Sequence, residues 1–216
     1  ALTSQKKIGL NGLLIHDYPT GLSRYSFELM HRILTQWEGE SVAYSTSPEL
    51  KKDFPRSTKS SVPPFHYPAN FRSNSVRLSW EQIGLRYACY RDKLDLIFSP
   101  IAEGIVFPQL PQIITVLDLL PFHYPNLLPR WVPYYEYFLP TLINGSTAVV
   151  CISEFTRQEV LERYPKIQEE KLKVIHGGVD LERFHPCSPG VIKERYELND
   201  YLLCVGEVRP YKNMEN

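Results

Sequence analysis

The amino-acid sequence predicts an α/β fold, a parallel sheet with helices packed on both faces. Three observations carry this. Short apolar runs suited to strands alternate with runs whose apolar residues recur every three or four positions. The strand runs are apolar throughout rather than at every second residue, as parallel strands covered on both faces are. Gly and Pro cluster between the runs, where the chain must turn.

The elements follow in order. Residues 7–15, rich in Ile and Leu, are expected as the first strand, and the turn 16–21 ends at Gly21. In 22–34 the side chains Leu22, Tyr25, Phe27, Leu29, Met30, Ile33 and Leu34 lie at helical spacing, so one face is buried. A short strand at 42–44 precedes residues 47–75, rich in Ser, Pro and Lys without a period and read as a long surface loop. A helix at 79–90 holds Trp80, Ile83, Leu85, Tyr87 and Ala88, and a strand at 94–98 is ended by Ser99-Pro100. A strand at 113–117 is closed by Asp118, and the Pro-punctuated segment 121–133 leads to a helix at 134–143. Strand 148–152 runs into Ser153, an N-cap for the helix 154–164, with Thr156 also suited to that part. A sixth strand is expected at 172–175, and no internal repeat is present.

Past Phe184 the run His185-Pro186-Cys187-Ser188-Pro189-Gly190 reads as a rigid linker. Residues 1–185 are therefore expected to form one domain and 186–216 the linker and start of a second, with a helix at 192–196, a strand at 201–205 and a loop at 206–212 leading to Asn213. A strand and a helix start without partners bury no core, so the expectation is a fragment of a longer protein.

Composition narrows the function. The 216 residues carry 24 Lys and Arg against 24 Asp and Glu, which excludes a basic nucleic-acid coat or an acidic tail. With 43% apolar and 22% charged residues the chain is not predominantly disordered, and its 18 prolines stiffen many loops. Cys89, Cys151, Cys187 and Cys204 form no Cys-x-x-Cys pair, which favours a reducing compartment. No apolar stretch reaches membrane-spanning length, so a cytoplasmic location is expected.

Two groups of residues carry a family signature. One is the order Val150-Cys151-Ile152-Ser153-Glu154-Phe155-Thr156-Arg157, then Val174-Ile175-His176-Gly177-Gly178-Val179-Asp180, Phe184 and Pro186. The other is the ending Val205-Gly206 with Lys212-Asn213. Together they resemble retaining glycosyltransferases of family 4. The resemblance implies the GT-B fold, two Rossmann-like domains facing each other across a cleft, of which residues 1–185 form the acceptor-side half. It also implies a nucleotide-diphosphate sugar as donor, no cofactor or metal, and a carbohydrate or lipid-linked acceptor that is a polysaccharide or glycolipid precursor. The end of the chain would open the nucleotide-sugar domain, and the fragment alone is expected to be inactive. Two further readings stand beside this one: a non-catalytic carbohydrate or lipid-headgroup binding module, and a GT-B nucleotide-sugar epimerase.

In an open parallel sheet, ligands sit outside the carboxyl ends of the strands, where the loops at Gly21, Asp118, Ser153-Glu154 and Gly177-Gly178 are expected. Gly21 before a helix either brings backbone N–H groups to a phosphate or merely permits a tight turn; the resemblance favours the phosphate. Gly9 and Gly12 complete no dinucleotide fingerprint. Asp118 is a catalytic candidate or a capping residue. Leu117 stands where many members of the resembling family have a His, so His16 and His123 are candidates to replace it. Arg209 and Lys212 suit a diphosphate, one as a planar fork and the other as a point charge.

Lys51, Lys52, Arg56, Lys59, Arg72 and Arg77 against Asp53, with Phe54, Phe65, Tyr67 and Phe71 among them, make 51–77 a solvated loop or a surface for an anionic membrane or lipid diphosphate. Nucleic acid is not expected there, given the neutral remainder. His176, His185 and Cys187 lack a fourth ligand at zinc spacing, and Gly21-Leu22-Ser23 lacks the second glycine of a hydrolase elbow, so neither metal nor serine nucleophile is expected. The cluster Tyr134, Tyr135, Tyr137 and Phe138 is core packing or a sugar-stacking platform.

Overall fold

A computed structural model of the chain describes residues 6–15, 20–59, 71–186, 190–199, 201–206, 209–212 and 214. It separates into two compact units, Ala1–Gly177 and Gly178–Asn216.

The first unit is the parallel α/β sheet the sequence predicts. Its strands are β1 (Ile8–Asn11), β2 (Ser41–Tyr44), β3 (Thr58–Lys59), β4 (Leu96–Ser99), β5 (Gln112–Val116), β6 (Ala148–Cys151) and β7 (Leu172–Val174). They lie in the order β3-β2-β1-β4-β5-β6-β7, every neighbouring pair parallel. The chain winds outward from β1 to β3, returns, and winds the other way from β4 to β7. The crevice between the carboxyl ends of β1 and β4 is therefore the switch point where such sheets bind ligands.

Helices cover both faces. From one side α1 (Gly21–Gln36) lays Met30 and Leu34 against Ile8, Leu10 and Ala43, with Leu50 of α2 (Pro48–Asp53). On the other, Leu85, Ala88 and Cys89 pack against Val42, Tyr44 and Ile97. Successive residues of β2 thus face opposite helices, as a doubly covered strand requires. A third cluster joins Ile114, Val116, Val149 and Leu172 to Leu139, Leu142 and Ile143 of α6 (Leu139–Gly145) and Val160 of α7 (Glu154–Arg163).

Several boundaries differ from the sequence reading. Residues 47–75 are not one loop. Ser47 accepts a hydrogen bond from Leu50 N–H and Pro48 occupies the first turn, so Ser and Pro act here as helix-start signals for α2; β3 follows, and α3 (Phe71–Trp80) begins within the span. The helix expected from 79 starts at Phe71 and runs through a π-helical turn (Glu81–Leu85) into α4 (Arg86–Arg91). A second π turn (Tyr134–Phe138) opens the helix expected at 134–143, and a one-turn α5 (Leu120–His123) overlaps the start of the segment 121–133. The first strand is shorter than expected, ending at Asn11: the Gly12 N–H makes the last bond to β2, at the Tyr44 carbonyl, and the chain then turns, Ile15 N–H bonding back to the Gly12 carbonyl.

In the second unit α8 (Gly190–Tyr196) forms as expected, but 201–205 is not a strand. A strand needs a neighbour to take its backbone groups, and Leu202, Leu203 and Val205 are 98%, 76% and 86% exposed. Pro210–Lys212 forms a single 3-10 turn. Among the described residues, no helix is long and apolar enough to cross a membrane.

Candidate functional site

The carboxyl edge of the sheet collects polar side chains. At the switch point Asn11 of β1 donates from Nδ2 to Ser99 Oγ at 3.0 Å and to Glu81 Oε1 at 3.1 Å, all three buried. The ends of the two central strands are thereby tied to the helix that precedes β4. The loop after β4 is braced from both sides. Gln82 donates to the Gly104 carbonyl at 2.8 Å and accepts from Val106 N–H at 2.9 Å, while Gln112 bonds both the N–H and the carbonyl of Ile105 and reaches Ser146 Oγ. Arg77 is buried and ion-paired with Glu103 of the same loop. Tyr134 donates to the Ala102 carbonyl at 2.9 Å. Burial raises the Glu81 carboxyl to about 7, against the opposing pull of the Arg77 charge and the Asn11 hydrogen bond.

At the start of α1 the Thr20 hydroxyl accepts from Ser23 N–H at 3.2 Å, and Gly21 opens the helix. Among the described residues nothing lies within 4 Å of where a Gly21 Cβ would stand, and Gly21 is not among those with positive φ. The backbone conformation therefore does not require glycine here, which removes the tight-turn explanation. Glycine leaves the first N–H groups of α1 open to an approaching group. The ring edge of Tyr25, one turn on, lies 4.0 Å from the Cβ position of Gly177.

The loops after β5, β6 and β7 form one connected rim. Thr156 donates its hydroxyl to the Leu117 carbonyl at 3.3 Å, Ser153 Oγ caps Thr156 N–H at 3.1 Å, and His176 Nδ1 donates to the Ile152 carbonyl at 3.1 Å. Glu154 pairs with Arg157 on the exposed first turn of α7. Asp118 is exposed; its Oδ1 accepts from Leu120 N–H at 3.0 Å and opens α5. His123 pairs with Glu159 of α7, and His16 lies outside the described residues. Cys151, at the carboxyl end of β6, is no nucleophile, since burial pushes its thiol up to about 11.

The second unit holds Gly178, with nothing within 4 Å of its Cβ position among the described residues, together with Arg209 and Lys212, whose ammonium lies 5.7 Å from the Tyr211 ring centroid. Among the described residues of the basic-aromatic stretch 51–77, several are drawn away from any common surface. Arg77 is buried against Glu103, Lys59 pairs with Asp92, and Phe54 packs on the core, while 60–70 lie outside the described residues. Of the aromatic cluster, Tyr134 and Tyr135 pack against the core while Tyr137 and Phe138 are exposed.

Sequence reasoning missed Asn11, Glu81, Ser99 and Glu103. The available signal was a polar residue ending an otherwise apolar strand, as both Asn11 and Ser99 do. Glu81 and Glu103 carry no such mark, because only the fold brings them to their partners.

A doubly wound parallel domain with an open glycine at a helix start beside its switch point defines a Rossmann-like ligand-binding domain. The model of Glycosyltransferase Family 4 matches residues 19–183, and the chain belongs to that family. It is 28% identical over 105 residues to the O-antigen chain mannosyltransferase RfbU of Salmonella typhimurium (strain LT2), covering 49% of this chain and 27% of that protein. The crystal structure of a glycosyltransferase from Rickettsia africae ESF-5 superposes with a TM-score of 0.52 at 18% identity, over 91% of this chain and 50% of that one. The chain thus spans about half the length of that structure and about a quarter of that curated relative.

Proposed function

We propose that the protein transfers a sugar, with retention, from a nucleotide-diphosphate donor to a carbohydrate or lipid-linked acceptor of a polysaccharide or glycolipid pathway. The reading rests on family membership together with one observation: Gly21 opens α1 beside the switch point with open space where a side chain would stand. A helix start in that position offers N–H groups and the positive end of the helix dipole to a phosphate. On this reading residues 1–185 are the acceptor-side domain, and Arg209 and Lys212 are candidates to bind the donor diphosphate, where positive charge stabilises the departing group. Asp118, His123 and His16 are the candidate catalytic groups, and Ser153, Glu154, Gly177 and Gly178 the candidate cleft-loop residues. The mannosyltransferase relative favours a hexose donor and O-antigen-like polysaccharide synthesis; on this reading the protein works in the cytoplasm at the inner face of the membrane. A second nucleotide-sugar domain is needed to complete the site.

Calorimetric titration of the full-length protein with uridine, guanosine and adenosine diphosphates and their sugars tests this. One nucleotide class should bind, about tenfold more weakly in Gly21→Ala and in Lys212→Ala, each removing one phosphate contact worth about 1.4 kcal/mol. Residues 1–216 alone should not transfer sugar. Absence of nucleotide binding by the folded full-length protein refutes the donor assignment, and robust transfer by residues 1–216 refutes the split site.

A further inference from the structure

A cavity of about 480 Å³ lies between the start of α3 and the segment 126–134. Because α3 and α4 together run antiparallel to β4, and Glu81 near the middle of that path reaches Asn11 at the carboxyl end of β1, the cavity lies out beyond the carboxyl edge of the sheet. Its size suits a mono- or disaccharide.

The walls are built rather than incidental. Arg77, its side chain 5% exposed and held by Glu103, donates from Nη2 to Asn74 Oδ1 at 3.4 Å. That hydrogen bond holds Asn74 at the cavity wall. Tyr134, anchored on the Ala102 carbonyl, forms the floor, and the Trp131 ring stands edge-on to it with centroids 5.7 Å apart. Asn126 and Arg130 add further donors, and Leu78 adds an aliphatic wall. Among the described residues lining the cavity no carboxylate is present, and Arg130 is the only charged side chain. Such a site combines aromatic and aliphatic walls for the apolar face of a sugar ring with a surplus of donors for oxygen acceptors.

We propose that this cavity binds the acceptor as a saccharide bearing an oxyanion, a phosphate or a carboxylate, with the ring against Trp131 and the anion on Arg130. The proposal rests on the reading of this unit as the acceptor-side domain.

The test is equilibrium binding to the full chain, by calorimetry or saturation-transfer NMR and without nucleotide. The probes are the 1-phosphates of glucose, mannose, galactose and N-acetylglucosamine, their methyl glycosides, the corresponding methyl uronates, and inorganic phosphate. At least one sugar phosphate or uronate should bind about tenfold more tightly than its neutral methyl glycoside, the ratio expected for a charge-assisted hydrogen bond. Which of the two binds identifies the anion. Arg130→Gln should erase that ratio, and Asn126→Ala should weaken every sugar probe severalfold. Trp131→Ala should abolish sugar binding while leaving any weak phosphate binding. Asn126 and Arg130 are exposed, so their variants carry the test even if Trp131→Ala unfolds. Equal binding of charged and neutral sugars overturns the proposal, as does no sugar binding by the folded chain. Inorganic phosphate binding as tightly as the sugar phosphates, whatever stands at 131, also overturns it. Since no nucleotide is present, loss of the donor reading would leave this result standing, and the reverse holds too.

Discussion

Replacing Glu81 by Gln should make the protein less sensitive to pH. Glu81 is fully buried; Oε1 accepts from Asn11, and Oε2 has no hydrogen-bond partner among the described residues. The neighbouring cation, Arg77, is already paired with Glu103. Burial raises the Glu81 carboxyl from 4.5 to about 7, with Arg77 and Asn11 opposing. A raised value in the folded state means the native protein holds the proton more tightly than the unfolded chain does. The stabilisation from protonated Glu81 is therefore complete below pH 4.5 and is lost as pH rises through about 7. A shift of that size corresponds to about 3 kcal/mol across the window. Glu81→Gln keeps the shape and a neutral polar group, so the loss should vanish. Urea unfolding of both proteins at pH 5, 6, 7 and 8 reads it out. The two should be within about 1 kcal/mol of each other at pH 5, and the variant should gain about 2–3 kcal/mol relative to wild type by pH 8. Parallel pH profiles for the two proteins would show that Glu81 does not titrate in this window and refute the reasoning.

Other perturbations follow from the same geometry. Gln112→Ala leaves the Ile105 N–H and carbonyl and the Ser146 hydroxyl to find new partners in a buried site, and should cost about 2–4 kcal/mol in denaturant unfolding. Gly145→Ala places a Cβ 2.5 Å from the Val106 carbonyl oxygen, so α6 or the loop after β4 must move; the thermal midpoint should fall with about 1–3 kcal/mol of lost stability. Ser153→Ala removes the cap on Thr156 N–H and loosens the rim between β5 and β6, costing about 1 kcal/mol by urea unfolding, whereas Ser153→Asp should largely preserve it.

Much of the fold was legible because apolar strands and amphipathic helices are local patterns. Six of the seven strands, the helices α1 and α7 and the Ser153 cap all announce themselves within a dozen residues. The strand that went unread, β3, is two residues long and carries no apolar run. The expected strand at 201–205 shows the converse, since an apolar run specifies a strand only where another strand receives it. The Ser- and Pro-rich span 47–75 concealed α2 and the start of α3, because the residues that start helices are also those that make loops.

The site divides in the same way. The positions of Gly21, Ser153 and Gly177-Gly178 at strand-to-helix or strand-to-loop boundaries were legible from the sequence, since periodicity marks such boundaries. For Gly21 the structure adds an ordinary backbone and, among the described residues, open space at its Cβ position, neither of which the sequence could show. Arg77 read as one of several surface cations and is instead buried on Glu103, which in turn orients Asn74 at the mouth of a cavity no local pattern signals. The sequence by itself determined which segments become strands and helices, because hydrophobic period and capping act over a few residues. Tertiary structure alone decided that Asn11, Glu81 and Ser99, separated by as many as 88 positions, meet at the switch point, because the order of strands in a sheet is set by long-range burial.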